Sequence, residues 1–264
     1  MEKKKAESYG AYLKIPELLA LQQPLSDPAE HDEMLFIVIH QVYELWFKLL
    51  LHEATAILGA AGRGETRRCS RHFRRIIEIQ RVLLQQISVL ETMTPADFLR
   101  FRDHLNPASG FQSHQFRELE FLSGMKDTST FPHLKLLPED RARLERRLVE
   151  PDLRDAFDQL LGIAGFVVSE PRHDARIAAL KTIYSSPSSH HDLYDLCEAM
   201  IEYDENFQLW RYHHVLMVER MIGHKIGTGG SEGVGYLTAT LKKRCFPELW
   251  EARSHLGSGG YGGG

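Results

Sequence analysis

Of the fourteen histidines in the chain, His40 and His214 differ from the rest in setting, because each interrupts an apolar helical face. Phe36, Tyr43 and Phe47 stand at −4, +3 and +7 from His40, an aromatic stripe at helical spacing. The face of His214 carries Phe207, Trp210, Met217, Val218 and Met221. A neutral imidazole in such a place is either a core residue bonded to a carbonyl or a ligand to a metal or to haem iron. The residue pattern leaves both readings open. His213 points toward Leu209, Leu216 and Arg220, a more mixed face, so spacing favours His214 of the adjacent pair. His31, His72, His133, His173, His190, His191, His224 and His255 lie in polar or boundary sequence and read as solvated side chains or caps.

Other chemistries find less support. A bundle di-iron site needs Glu-x-x-His on two helices, and Glu170-Pro171-Arg172-His173 contains a proline and reads as a loop. His52-Glu53 is followed by Ala56 where a His-Glu-x-x-His helix needs its second histidine. A single histidine on an apolar face suits instead a macrocycle that supplies the other four ligands of an iron. The glycine-rich run from Gly227 to Gly235 follows a helix and lacks both phosphate-binding frames, so it reads as a mobile loop closing over a small ligand, with Thr228 and Ser231 offering hydroxyls. Arg102 and Arg117 lie among aromatic residues. Each is either a surface charge or a clamp for a carboxylate, of a substrate or of a haem propionate.

The elements that must carry these residues are helices. Asp32 to Ala60 is apolar on almost every face, which predicts a long buried helix ended by Gly59, Gly62 and Gly64. Thr66 to Glu91 repeats at helical spacing. Thr94-Pro95-Ala96-Asp97 has the cap, proline and acid of a helix start. Phe111–Leu122, Glu139–Leu148 and Leu153–Val168 read as shorter helices, with Pro151 and Pro171 as punctuation. His190 to His224 reads as the second long one, and short helices follow near Leu237–Arg244 and Pro247–Arg253. With no alternating strand pattern the fold class is all-α, a helical bundle with two long buried helices in one domain over 1–256. The Gly-rich tail 257–264 is expected to be disordered.

A formal charge of −4, from 32 basic against 36 acidic residues, offers no field for nucleic acid. No apolar run reaches the ~18–20 residues of a membrane span, and Met1-Glu2-Lys3-Lys4-Lys5 leads into polar sequence. Three cysteines without Cys-x-x-Cys spacing exclude a zinc ribbon or disulfide framework. Together these features point to a cytoplasmic protein with no membrane or nucleic-acid partner.

Read together, the motifs resemble those of the tryptophan 2,3-dioxygenase family. They are His31-Asp32-Glu33-Met34-Leu35-Phe36-Ile37 with His40-Gln41 and Glu44-Leu45-Trp46-Phe47-Lys48, then Leu90-Glu91-Thr92-Met93-Thr94-Pro95 through Phe101-Arg102-Asp103 to Ser109-Gly110-Phe111-Gln112-Ser113. Asn206-Phe207-Gln208-Leu209-Trp210-Arg211, His214, Val218-Glu219-Arg220 and Gly227-Thr228-Gly229-Gly230-Ser231 complete the set.

The resemblance implies a haem enzyme, a homotetramer with its haem pocket between helices. In its ferrous form it would insert both atoms of O₂ across the indole C2–C3 bond of L-tryptophan to give N-formyl-L-kynurenine. By position it makes His214 the iron ligand and sets His40 against the indole N–H. Arg102 falls on the substrate carboxylate, Thr228 on the ammonium group, and Phe36 and Phe98 on the wall beside the indole. Ser109 and Gly110 would line the space beside the iron, and Arg117 would face a haem propionate. Tyr9, Tyr12 and Leu13 match a segment that completes a neighbouring subunit's pocket. Position 98 is Phe where some members have Tyr, and Glu232 replaces a common second Ser. The same residues would also serve a relative that oxidises a substituted tryptophan, or inserts a single oxygen, in a biosynthetic pathway.

Overall fold

The structure is a computed structural model that describes residues 8–129, 131, 134, 136–223, 225 and 234–257. Two short helices, α1 (Tyr9–Leu13) and α2 (Ile15–Leu18), precede the long α3 (His31–Ala61). Then come α4 (Thr66–Leu90), α5 (Pro95–Leu105), α6 (His114–Leu122), α7 (Pro138–Val149), α8 (Leu153–Ile163) and α9 (Arg172–Ser185). The second long helix, α10 (His191–Ile222), is followed by α11 (Val234–Thr240) and α12 (Pro247–Ala252). Among the described residues there is no strand, and the all-α expectation holds.

The frame is α4 laid along both α3 and α10, with α6 and α8 flanking α3 and α9 paired with α12. The strong 3.6-residue periodicity of α4 makes this position natural. Phe73, Ile76, Ile77, Leu83 and Ile87 form its buried stripe, with arginines on its outer side. Phe73 meets Tyr203 of α10 edge-on, ring centroids 5.7 Å apart. Cys69, Cys197 and Cys245 are free and buried in this core.

Several boundaries differ from the expected ones, each for a local reason. The predicted helix from Phe111 is split. Gly110–Gln112 forms a 3-10 turn capped by Ser109, and the Ser113 hydroxyl accepts from Phe116 N (3.2 Å) to open α6. Helix α8 stops at Ile163 rather than reaching Val168, because the chain turns at Gly165 with φ of 91°. The polar helix α9 was not expected, since Pro171 read as punctuation while it is in fact the residue that caps the helix. His173 therefore lies on a helix, where its Nε2 is 3.1 Å from a Glu251 carboxylate oxygen. His72, expected to be solvated, is largely covered, with Nδ1 2.6 Å from the buried Glu53 carboxylate. His133, His224 and the tail from 258 lie outside the described residues.

Helix α3 departs most. It is long and apolar enough to cross a membrane by length and composition, although the sequence has no unbroken apolar run. Yet it packs against α4, α5, α6 and α8 and bears Glu53 paired with His72 and Arg75. Its burial is one-sided: Leu45 is 51% exposed, and Met34 and Val38 share the uncovered side. The expectation of burial on almost every face fails for the single chain.

The segment after α11 is fastened to α10 by one acid. Buried Asp204 accepts from Cys245 N (3.0 Å), Phe246 N (3.1 Å) and Trp250 Nε1 (2.9 Å). Asp204→Ala leaves these donors without their acceptor and should cost roughly 3 kcal/mol or more, read as a lowered urea midpoint. An unchanged midpoint would show that the tie is not structural.

Candidate active site

Helices α3, α5, α6 and α10 enclose one cavity of about 510 Å³, within the usual range of small-molecule sites. The stripe that singled out His40 faces it: Phe36, His40, Tyr43 and Phe47 all line the wall from α3. From α5 come Phe98 and Arg102, from the turn Ser109 and Gly110, from α6 Arg117, and from α10 His214. Sequence-predicted residues from four separate stretches thus meet in one space. Tyr9, Tyr12 and Leu13 do not. They lie on α1, with the two tyrosines 77% and 73% exposed, and they are not in this wall. Thr228, with Ser231 and Glu232, lies outside the described residues.

His40 Nδ1 lies 2.7 Å from the Phe36 carbonyl oxygen, one turn back on α3. A carbonyl only accepts, so Nδ1 carries the proton and Nε2 is left as an acceptor. Burial pulls the His40 pKa down, opposed by the Phe36 carbonyl and by Glu44 one turn on. The ring is held neutral and in one tautomer. Phe36 lies against it at 4.0 Å between centroids, and Phe98 is 5.9 Å from Phe36, so two aromatic faces border the same volume. Buried Phe101 supports both from beneath, at 5.7 and 5.4 Å.

His214 resolves differently from a core histidine. Its ring stacks on Trp210, centroids 5.1 Å apart and 10° from parallel, and it faces the cavity. Burial pushes its pKa down to about 4, with His40 a smaller cause, so the imidazole is neutral and able to ligate. The neighbouring His213 is exposed, as the helical period requires. Among the described residues no group of three or more His, Cys, Asp or Glu is placed to hold a metal ion. A lone neutral imidazole on a large apolar wall, with arginines along it, fits a flat macrocycle with acidic side groups better than a protein-only metal cage.

Glu120 and Arg211 are among the cavity residues to which the sequence reading gave no role. Glu120 accepts from Arg117 Nη1 at 2.6 Å and from Arg211 Nη2 at 2.7 Å. Only half of this was signalled locally, since Arg117 and Glu120 are one turn apart on α6 while Arg211 comes from α10.

The depressed His214 pKa has a consequence for the ligand-free protein. The unfolded chain takes up this proton near 6.5, but the folded one holds out to about 4. Stability from the neutral ring is full above pH 6.5 and lost as pH falls through about 4. His214→Leu should flatten this part of the acid limb in urea denaturation. An unchanged slope would show that the ring is not desolvated.

The chain has many relatives. Residues 1–146 and 168–256 match the family model described as tryptophan 2,3-dioxygenase. A protein named tryptophan 2,3-dioxygenase from Nocardioides sp. is 49% identical over 255 residues, spanning 94% of this chain and 94% of the relative. Those of Herpetosiphon aurantiacus (46% over 259 residues, 95% and 99% covered) and Myxococcus xanthus (42% over 260 residues, 94% and 89%) carry the same name. With its matched segments supplying every wall of the cavity, the chain belongs to the tryptophan 2,3-dioxygenase family.

Proposed function

We propose that the protein is a haem-dependent, cytoplasmic dioxygenase that converts L-tryptophan and O₂ to N-formyl-L-kynurenine, acting as a homotetramer. The observation that carries this reading is the meeting, in one cavity, of a neutral imidazole able to ligate with a phenylalanine-lined wall and an arginine. Family membership over nearly the whole chain supplies the reaction. The C2–C3 bond breaks and each carbon receives one atom of the same O₂, so no outside reductant is consumed.

His214 would hold the iron through its ring nitrogen, and Arg117 would meet a propionate. Ferrous haem supplies the binding and activation of dioxygen. The rest of the work falls to the chain. Arg102 takes the substrate carboxylate in its fork, Thr228 meets the ammonium group, and Phe36 and Phe98 wall the indole. Ser109 and Gly110 border the space left for oxygen. His40 Nε2, the free acceptor, receives the indole N–H. That N–H is too weak an acid for full transfer to imidazole, so His40 orients rather than deprotonates. The apolar wall keeps water from the reacting edge. Tyr9, Tyr12 and Leu13, exposed on their own chain, would close the pocket of a neighbouring subunit.

The experiment is product analysis after reaction of the haem-loaded protein with L-tryptophan and ¹⁸O₂. Two labelled atoms in an N-formyl aryl ketone support the reading. One labelled atom, or turnover confined to a substituted tryptophan, would establish the biosynthetic relative in its place. Two variants test the roles. His214→Ala should abolish the His-ligated Soret spectrum, and an unchanged spectrum would mean another ligand. Arg102→Ala removes a charge-assisted contact worth roughly 1.5–3 kcal/mol, so KM should rise about 10- to 150-fold. An unaltered KM would remove Arg102 as the carboxylate anchor.

A further inference from the structure

The Arg117–Glu120–Arg211 triad lies in the cavity wall between α6 and α10. All three side chains are buried, Glu120 at 5% and Arg211 at 3% exposure. Glu120 uses both oxygens, one for each guanidinium. Arg211 is engaged on every side. Its Nη1 donates to the carbonyls of Thr240 (3.3 Å) and Lys243 (3.2 Å), and its guanidinium stands 4.6 Å over the Phe207 ring. Arg117 rests over the rings of Phe111 and Phe116, at 5.2 and 5.8 Å. Two guanidiniums and one carboxylate thus share one buried stretch of the cavity wall.

We propose that Glu120 is a positioning residue that fixes Arg117 toward a bound carboxylate and sets the charge this wall presents to the iron centre. This rests on the haem reading above. A simple structural tie between α6 and α10 would need only one arginine. The second gives the carboxylate a partner on the helix that bears His214, three residues away, so one acid links the anion-facing guanidinium with the iron-bearing helix. Without Glu120 the two guanidiniums would repel one another, and Arg117 would lose its ion pair on α6.

The charge sets the sign of the effect. A negative group beside the iron favours the ferric state, which carries one more positive charge than the ferrous. Glu120→Gln makes the wall more positive by one charge, and Arg211→Gln makes it less positive by one. The test is spectroelectrochemical titration of the haem-loaded full chain. Expected are a midpoint shifted to more positive values in Glu120→Gln, a shift the opposite way in Arg211→Gln, and a value near wild type in Glu120→Asp and in the Glu120→Gln/Arg211→Gln double variant. Midpoints unchanged while thermal stability falls would overturn the proposal and leave a structural tie. If one single variant fails to fold, the sign of the other decides. Wild-type protein that takes up no haem would instead defeat the underlying reading.

Discussion

Desolvation of two imidazoles is the constraint on which the site rests. His40 and His214 come from different long helices and face one apolar cavity, and the same burial that makes them costly to protonate keeps both neutral. A charged ring could neither accept an indole N–H nor offer a lone pair to iron. The Phe36 carbonyl then selects the tautomer of His40, and the Trp210 face fixes the plane of His214. Each partner lies one turn back on the ring's own helix, so α3 and α10 pre-set their own functional side chains. What the fold adds is the separation between the two helices, and α4, packed against both, holds it.

Charge enters this apolar volume only where it is held. Arg102 reaches in from α5, while Arg117 is anchored by Glu120, which is shared with Arg211. Glu44, the other acid of the wall, accepts from Gln115 Nε2 at 2.7 Å and stands one turn from His40. Glu44 is thus tied to α6, and Arg117 and Arg211 share Glu120. On the proposed reading, a ligand with a carboxylate at one end and an aromatic body, beside a macrocycle with its own carboxylates, would meet a cation at each position.

How far this was readable beforehand depended on the range of the forces involved. The aromatic spacing around His40, the choice of His214 over His213 and the Thr94 cap are local, and periodicity reports them directly. The split at Ser113 and the early end of α8 depend on single residues, a hydroxyl that caps and a glycine in the left-handed region, inside otherwise helical patterns. Helix α9 was obscured because its polar side dilutes the stripe of Ala179, Leu180 and Ile183. The Glu120 bridge depends on two helices meeting, which no local pattern encodes. Placement of Ser109 and Gly110 came from family motifs, not from their physical setting in the sequence.

The half-covered state of α3 follows from the same physics. The sequence made this helix apolar nearly all round, and the single chain covers one side, leaving Met34, Val38 and Leu45 in solvent. On α10, Leu209, Tyr212 and Leu216 are likewise exposed, on the face that turns His213 away from the cavity. An apolar stripe on the outer side of α3 and of α10 has no use within one chain, and its exposure costs about 25 cal/mol per Å². The proposed assembly gives those stripes a counterpart and would carry the exposed Tyr9 and Tyr12 to another subunit's site. Helices that are apolar on both sides can then do two things at once: the inner side shapes the chemistry, and the outer side joins the copies that complete it.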